Sequence, residues 1–273
     1  MAATSHVPDR TVVQRVGAVA VALFWVLPFF GLIDFMQSVI TDVSPDLLTF
    51  VVLSTSWGLL YLCLLPVPLI AWSVQPFGWV GPQVLAIGAA VLVAGVAAAA
   101  WGQVFVALLI TASAGFPGMW RPTPRWSLRL LLRGALWPVD VLVLVGLVAA
   151  VVEMGDLIDM ARRGAPDDNT NGLMHLPMQA GFALAVPAAA AVAVLALANG
   201  VSGWWFAIVP PASSAVWFGL VSTRFPERLG SLGELAGRSA VGWGVVTAVA
   251  VWATGFWVRR TGRAKPRRVD SDG

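Results

Sequence analysis

Seven stretches of this chain stay apolar for so long that a water-solvated fold is ruled out. They cover residues 12–33, 47–72, 80–116, 135–152, 176–198, 203–221 and 239–258, and the one carboxylate inside them is Asp140. A helix crosses a hydrocarbon core of about 30 Å with roughly 20 residues. In lipid, moreover, each backbone N–H and C=O must be satisfied within the protein, which a helix does by itself. The expected class is therefore all-α, a polytopic transmembrane helix bundle. Composition agrees, with 58% hydrophobic and 11% charged residues, against about 25% charged in a soluble domain.

The third run is too long for one crossing, because its 37 residues would extend about 55 Å as a single helix. Trp101-Gly102-Gln103 marks the place for a reversal, which makes eight spans. Parity supports the split: Arg121, Arg125, Arg129 and Arg133 fall on the same side as Arg10 and Arg15 only if 80–116 crosses twice. With both termini inside, the inner segments hold 12 basic residues and the outer ones five, the bias that orients membrane proteins. Ten acidic residues, Asp34, Glu153, Asp156, Asp159 and Glu227 among them, then lie outside. The chain reads as a cytoplasmic tail at 1–11, an eight-helix membrane domain at 12–258 and a basic cytoplasmic tail at 259–273. The first apolar run exceeds the core of a cleavable signal peptide. The basic balance reports topology, and nucleic acid is not an expected partner.

Of the 14 tryptophans, Trp72, Trp79, Trp120, Trp126, Trp137, Trp204, Trp205 and Trp257 fall at span ends, the pattern of an interfacial belt. Two matches recur at an offset of 125 residues: Leu32-Ile33-Asp34 with Leu157-Ile158-Asp159, and Gly78-Trp79 with Gly203-Trp204. They raise a 4 + 4 parallel repeat of the kind found in transporters. Gly88, Ala89, Gly95, Ala99, Gly242 and Ala250 would permit close helix approach. Pro28, Pro66, Pro68, Pro187, Pro210 and Pro211 would kink or interrupt their helices.

Candidate chemistry is sparse. Asp140 follows Trp137-Pro138-Val139, where a carboxylate either meets the first-turn N–H groups and the positive end of the helix dipole or marks a proton or substrate path. Pro210-Pro211-Ala212-Ser213-Ser214 is the most polar break, where Ser213 and Ser214 either line a cavity or repay freed carbonyls. His175, with Met174 and Met178 beside it, offers the imidazole and thioether ligands that suit copper, while methionine is also ordinary apolar filler. Asp167-Asp168-Asn169-Thr170-Asn171 lacks calcium-loop spacing and reads as a solvated turn. Arg121, Arg125, Arg129 and Arg133 form an inner-leaflet or partner surface, with anionic lipids as the expected contact. Cys63 is the single cysteine, so no internal disulfide forms. No spans carry paired histidines or a lysine, and no Gly-x-Ser-x-Gly elbow, zinc-protease helix or P-loop is present. An enzyme is not expected, nor a resident cofactor, though a carboxylate-only mechanism would draw on Asp34 or Asp140.

Ser56-Trp57-Gly58-Leu59-Leu60-Tyr61 followed by Pro66-Val67-Pro68, and the stretch from Thr170 to Gln179, resemble segments of uncharacterised multi-pass membrane proteins of high-GC Gram-positive (actinobacterial) bacteria. The resemblance implies a bacterial cytoplasmic membrane and brings no activity. The leading functional expectation is a small transporter or permease-like bundle. The alternative is a non-enzymatic scaffold or accessory subunit, and the third is a copper-handling protein.

Overall fold

The computed structural model describes residues 10–29, 31–39, 48–115, 137–167, 169–170 and 172–260. The arginines at 121, 125, 129 and 133, with Trp120, Trp126 and the C-terminal tail from residue 261, lie outside them. Every apolar run within the described residues is helical. Helices α1 (Arg10–Val26) and α2 (Gly31–Gln37) form the first run and meet at 50°. The second is α3 (Val51–Leu59), a π-helical turn at Leu60–Leu64 and α4 (Pro66–Val74). Next come α5 (Val80–Ala97), α6 (Trp101–Ala114), α7 (Trp137–Arg162), α8 (His175–Ala198), α9 (Trp204–Ala207), α10 (Val209–Arg224) and α11 (Gly233–Arg260). Just ahead of α8, β1 (Asn169–Thr170) pairs antiparallel with β2 (Leu173–Met174). Gly172, at φ 82°, supplies the left-handed conformation such a tight turn needs.

Among the described residues, six helical segments are long and apolar enough to cross a membrane, and the bent pair α1–α2, counted as one span, makes a seventh. Helix α6 is the exception to the expected eight: its 14 residues rise about 21 Å, short of the hydrocarbon core. The reversal between α5 and α6 falls at Ala98–Ala100, just before the expected place. Ala99 turns the chain there, at φ 54°. The two helices then run antiparallel at close range. A Cβ on Gly88 would stand 2.6 Å from Thr111 Oγ1, and one on Gly95 would stand 3.1 Å from the Val104 nitrogen. Gly242, expected at an interface, instead faces open space.

Helix α8 is central, with 72% of its most apolar window buried, whereas the figure is 22% for α7 and 28% for α11. These two flank the bundle and turn long aliphatic faces outward, Val141, Leu144, Val148 and Val152 on α7 and Val245, Val249 and Phe256 on α11. Such faces suit lipid rather than water. Helices α10 and α11 pack backbone to backbone, since a Cβ at Gly219 would meet the Gly237 carbonyl at 2.5 Å and one at Gly244 the Ala212 carbonyl at 2.8 Å. Small residues at such crossings let dispersion and weak polar contacts replace the missing hydrophobic drive.

Three expectations are revised. Trp72, Trp79 and Trp204 are buried rather than interfacial, while Trp137, Trp205 and Trp257 do face outward. Trp79 stacks on Phe77 at 5.7 Å, and Trp204 fills the space over Gly255. Asp34 is buried on α2 instead of standing in an outer loop. Glu153, Asp156 and Asp159 stay helical because α7 continues to Arg162, helped by the exposed Asp159–Arg163 pair one turn apart. The two halves of the proposed repeat also differ locally. Asp34 is buried where Asp159 is exposed, and Gly203 is left-handed at φ 75°.

Candidate functional site

The irregular backbone concentrates at one level of the bundle. Within the continuous segment Val51–Val74, Tyr61 lies near the midpoint, and the π-turn holding it is closed by Leu65 N–H donating to the Leu60 carbonyl at 3.1 Å. Pro66 and Pro68 explain the turn. Neither has an N–H for the carbonyl four residues back, and the Pro66 ring would press on that carbonyl in a regular helix. Widening to a π-turn relieves both. Across from it, α1 stops after Val26 and α2 starts at Gly31. Helix α2 lies directly on α3: a Cβ at Gly58 would be 2.6 Å from the Phe35 nitrogen, and one at Gly31 2.9 Å from Tyr61 Cβ.

Aromatic rings close the gap between the break and the π-turn. Phe29 stacks on Tyr61 at 4.7 Å, Trp25 on Phe29 at 5.2 Å, and Trp57 meets Tyr61 edge-on at 5.2 Å. His175 lies flat against Trp57 at 4.4 Å. Trp25, Trp57, Tyr61 and His175 are all fully buried. The polar tips of Trp57, Trp25 and Tyr61 are each tied to a different element. Trp57 Nε1 donates to the Phe29 carbonyl in the break at 2.5 Å. Trp25 Nε1 reaches Ser113 Oγ on α6 at 3.1 Å, and the Tyr61 hydroxyl reaches Met178 Sδ on α8 at 3.5 Å. Four strands of the bundle thus meet at one aromatic plug.

Beside the plug, Cys63 is half-buried and its Sγ lies 3.4 Å from Ser213 Oγ and 3.7 Å from the Pro210 carbonyl. Ser213 is exposed and its hydroxyl donates to the Val209 and Pro210 carbonyls at 2.8 and 3.1 Å. That is the carbonyl-repaying role. Ser214 points the other way, fully buried, its hydroxyl without a partner among the described residues. Pro211 has no N–H to give the Ala207 carbonyl. Gln83 Nε2 crosses from α5 to supply it at 2.8 Å, and also serves the Ala189 carbonyl at 3.1 Å.

Asp140 sits in the first turn of α7, half-buried. Its Oδ2 has no partner among the described residues, and Arg133 lies outside them. Met174 points outward at 38% exposure, while His175 and Met178 are buried. The sulfur of Met178 is occupied by Tyr61, and the three residues do not face one pocket. Among the described residues, no group of three or more His, Cys, Asp or Glu is placed to hold a metal ion. Asp167 is not a free turn residue: its carboxylate accepts from the His175 and Leu176 N–H groups at 3.0–3.1 Å, an anion on the N-terminus of α8. A cleft of about 540 Å³ opens between α7 and the segment 227–232, lined by Glu153, Asp156 and Glu227 beside Arg228. Its floor residue Gly230 accepts from Gln179 Nε2 at 2.5 Å. Neither Asp140 nor Ser213 nor Ser214 lines this cleft.

The plug escaped the sequence reading, since aromatic residues in an apolar run look like core. Its signal was there in Tyr61, the single tyrosine of the chain, placed just before a Pro-x-Pro pair. Compared with protein-family models, curated proteins and solved structures, the chain matches none of them.

Proposed function

We propose that this protein is an eight-pass, permease-like transporter of the bacterial cytoplasmic membrane with both termini cytoplasmic. In this reading the shorter α6 is the eighth crossing. The observation that carries it is the coincidence of a helix break and a π-turn at mid-span, with a main-chain carbonyl held by a tryptophan N–H. Irregular backbone at membrane depth is tolerated where it is buried in protein or lines a cavity, and discontinuous helices form the binding sites of many transporters. The state described is closed, with Phe29, Trp57 and Tyr61 filling the position a substrate would take. Met178 flanks it through the Tyr61 hydroxyl, and Asp140 and Ser214 are the residues this reading places along the path.

Single-cysteine accessibility tests this. In a Cys63→Ala background, Phe29→Cys should react with a membrane-impermeant, positively charged thiosulfonate from one face of sealed vesicles. A cysteine inert from both faces would contradict a path through the break. That result would favour the scaffold reading, which the dense aromatic packing and the outward aliphatic faces of α7 and α11 support.

A further inference from the structure

A groove of about 340 Å³ runs along the outside of α1, lined by Arg15, Val16, Val19, Ala20 and Leu23 with Ser73 of α4. Arg15, Val16, Val19 and Leu23 are all exposed. Arg15 makes no ion pair among the described residues, and the Ser73 hydroxyl is already donated to the Ile70 carbonyl at 2.7 Å. The groove therefore has at its mouth one cation without an ion pair among the described residues, and aliphatic walls above it. From Arg15 to Leu23 those walls rise about 12 Å, from the end of the Val51–Val74 segment toward its middle.

This mouth belongs to the basic end of the bundle. Phe77, three residues beyond α4, lies against Gly203, and the Arg259 guanidinium sits over the neighbouring Trp204 ring at 5.4 Å. A guanidinium binds phosphate oxygens in a planar, two-pronged way, and the walls offer an acyl chain dispersion contacts without any polar group to satisfy. We propose that this groove is a binding site for one anionic glycerophospholipid, its phosphate on Arg15 and one acyl chain along Val16, Val19, Ala20 and Leu23. The inference needs a membrane location and is independent of the permease reading.

The test uses the full-length protein purified in detergent, with lipid retention read by native mass spectrometry. Phosphatidylglycerol should bind about fivefold more tightly than phosphatidylcholine. Arg15→Gln should abolish that preference, Arg15→Lys should keep most of it, and Ala20→Phe should weaken both lipids by filling the groove. Equal affinity for the two lipids, or an unchanged preference in Arg15→Gln, would overturn the proposal. So would competition by glycerol 3-phosphate at the same concentration, which would mark a site for free phosphate. Arg15 and Ala20 are exposed, and matching lipid-free melting temperatures would establish that each variant folds.

Discussion

At the residue scale, the buried amide of Gln83 has the clearest physical task. It serves two carbonyls, one of them orphaned by Pro211. Gln83→Leu keeps most of the volume and leaves both carbonyls unserved, so stability should fall by about 1–2 kcal/mol, read from unfolding in mixed micelles. The same substitution in a Pro211→Ala background should cost measurably less, because the restored N–H at 211 takes over the Ala207 carbonyl. Strict additivity in that double-mutant cycle would refute the assignment. Trp57→Phe isolates the other special bond. It preserves ring stacking on His175 and Tyr61 but deletes the donor to the Phe29 carbonyl, and should lower the melting temperature by the equivalent of about 1 kcal/mol. Neither residue announced itself in the sequence. A lone glutamine or tryptophan in an apolar run gives no hint of which carbonyl it will meet, since that carbonyl belongs to another element, 28 residues away for Trp57 and 124 for Gln83.

At the scale of elements, the sequence was most informative where one physical rule dominates. Apolar run length placed the six long helical segments and the bent α1–α2 pair, and Pro28 and Pro210-Pro211 correctly marked helix interruptions. Pro187 did not, because α8 passes through it as one continuous 24-residue helix. Charge misled at helix ends. Glu153–Arg162 and Glu234–Arg238 are polar enough to read as loop, yet spaced pairs such as Glu234–Arg238 extend α7 and α11 past the apolar runs. Small residues were ambiguous, since composition does not say which side of a helix meets a neighbour. Gly219 and Gly242 separate the two outcomes. Gly219→Ala drives a methyl into the Gly237 carbonyl and should destabilise by about 1–3 kcal/mol. Gly242→Ala enters open space on a helix and should stabilise by about 0.5–1 kcal/mol through helix propensity. Equal effects at the two positions would mean that the α10–α11 contact is not as close as described.

At the scale of the whole molecule, two groups of described charges stand apart. Arg15 and Arg259 stand at the end marked by Ser73 and Trp204, while Glu153, Asp156 and Glu227 share a cleft bounded by Arg228. The charge bias read from sequence predicts an orientation. A reporter enzyme active only in the cytoplasm, fused after Gly273, should be active, and the same fusion after Gly164 should be silent. Reversed activities would overturn the topology. What sequence could not reveal at this scale is convergence. The α1–α2 break, the π-turn, Met178 and Pro210 are scattered over 184 residues, from Val26 to Pro210, and only the fold puts them side by side.

The permease reading requires the aromatic plug to open, and the element such opening would move is α2, latched to α10 by Trp217, whose Nε1 donates to Ser38 Oγ at 2.9 Å while its ring meets Phe35 at 5.4 Å. The most direct test is a pulsed electron-paramagnetic-resonance distance between spin labels at Met36→Cys and Leu220→Cys, both outward-facing positions, in Cys63→Ala protein held in lipid nanodiscs. The account predicts two distance populations, with the longer one enriched when Trp217→Phe removes the latch. A single narrow distribution that Trp217→Phe leaves unchanged would contradict it.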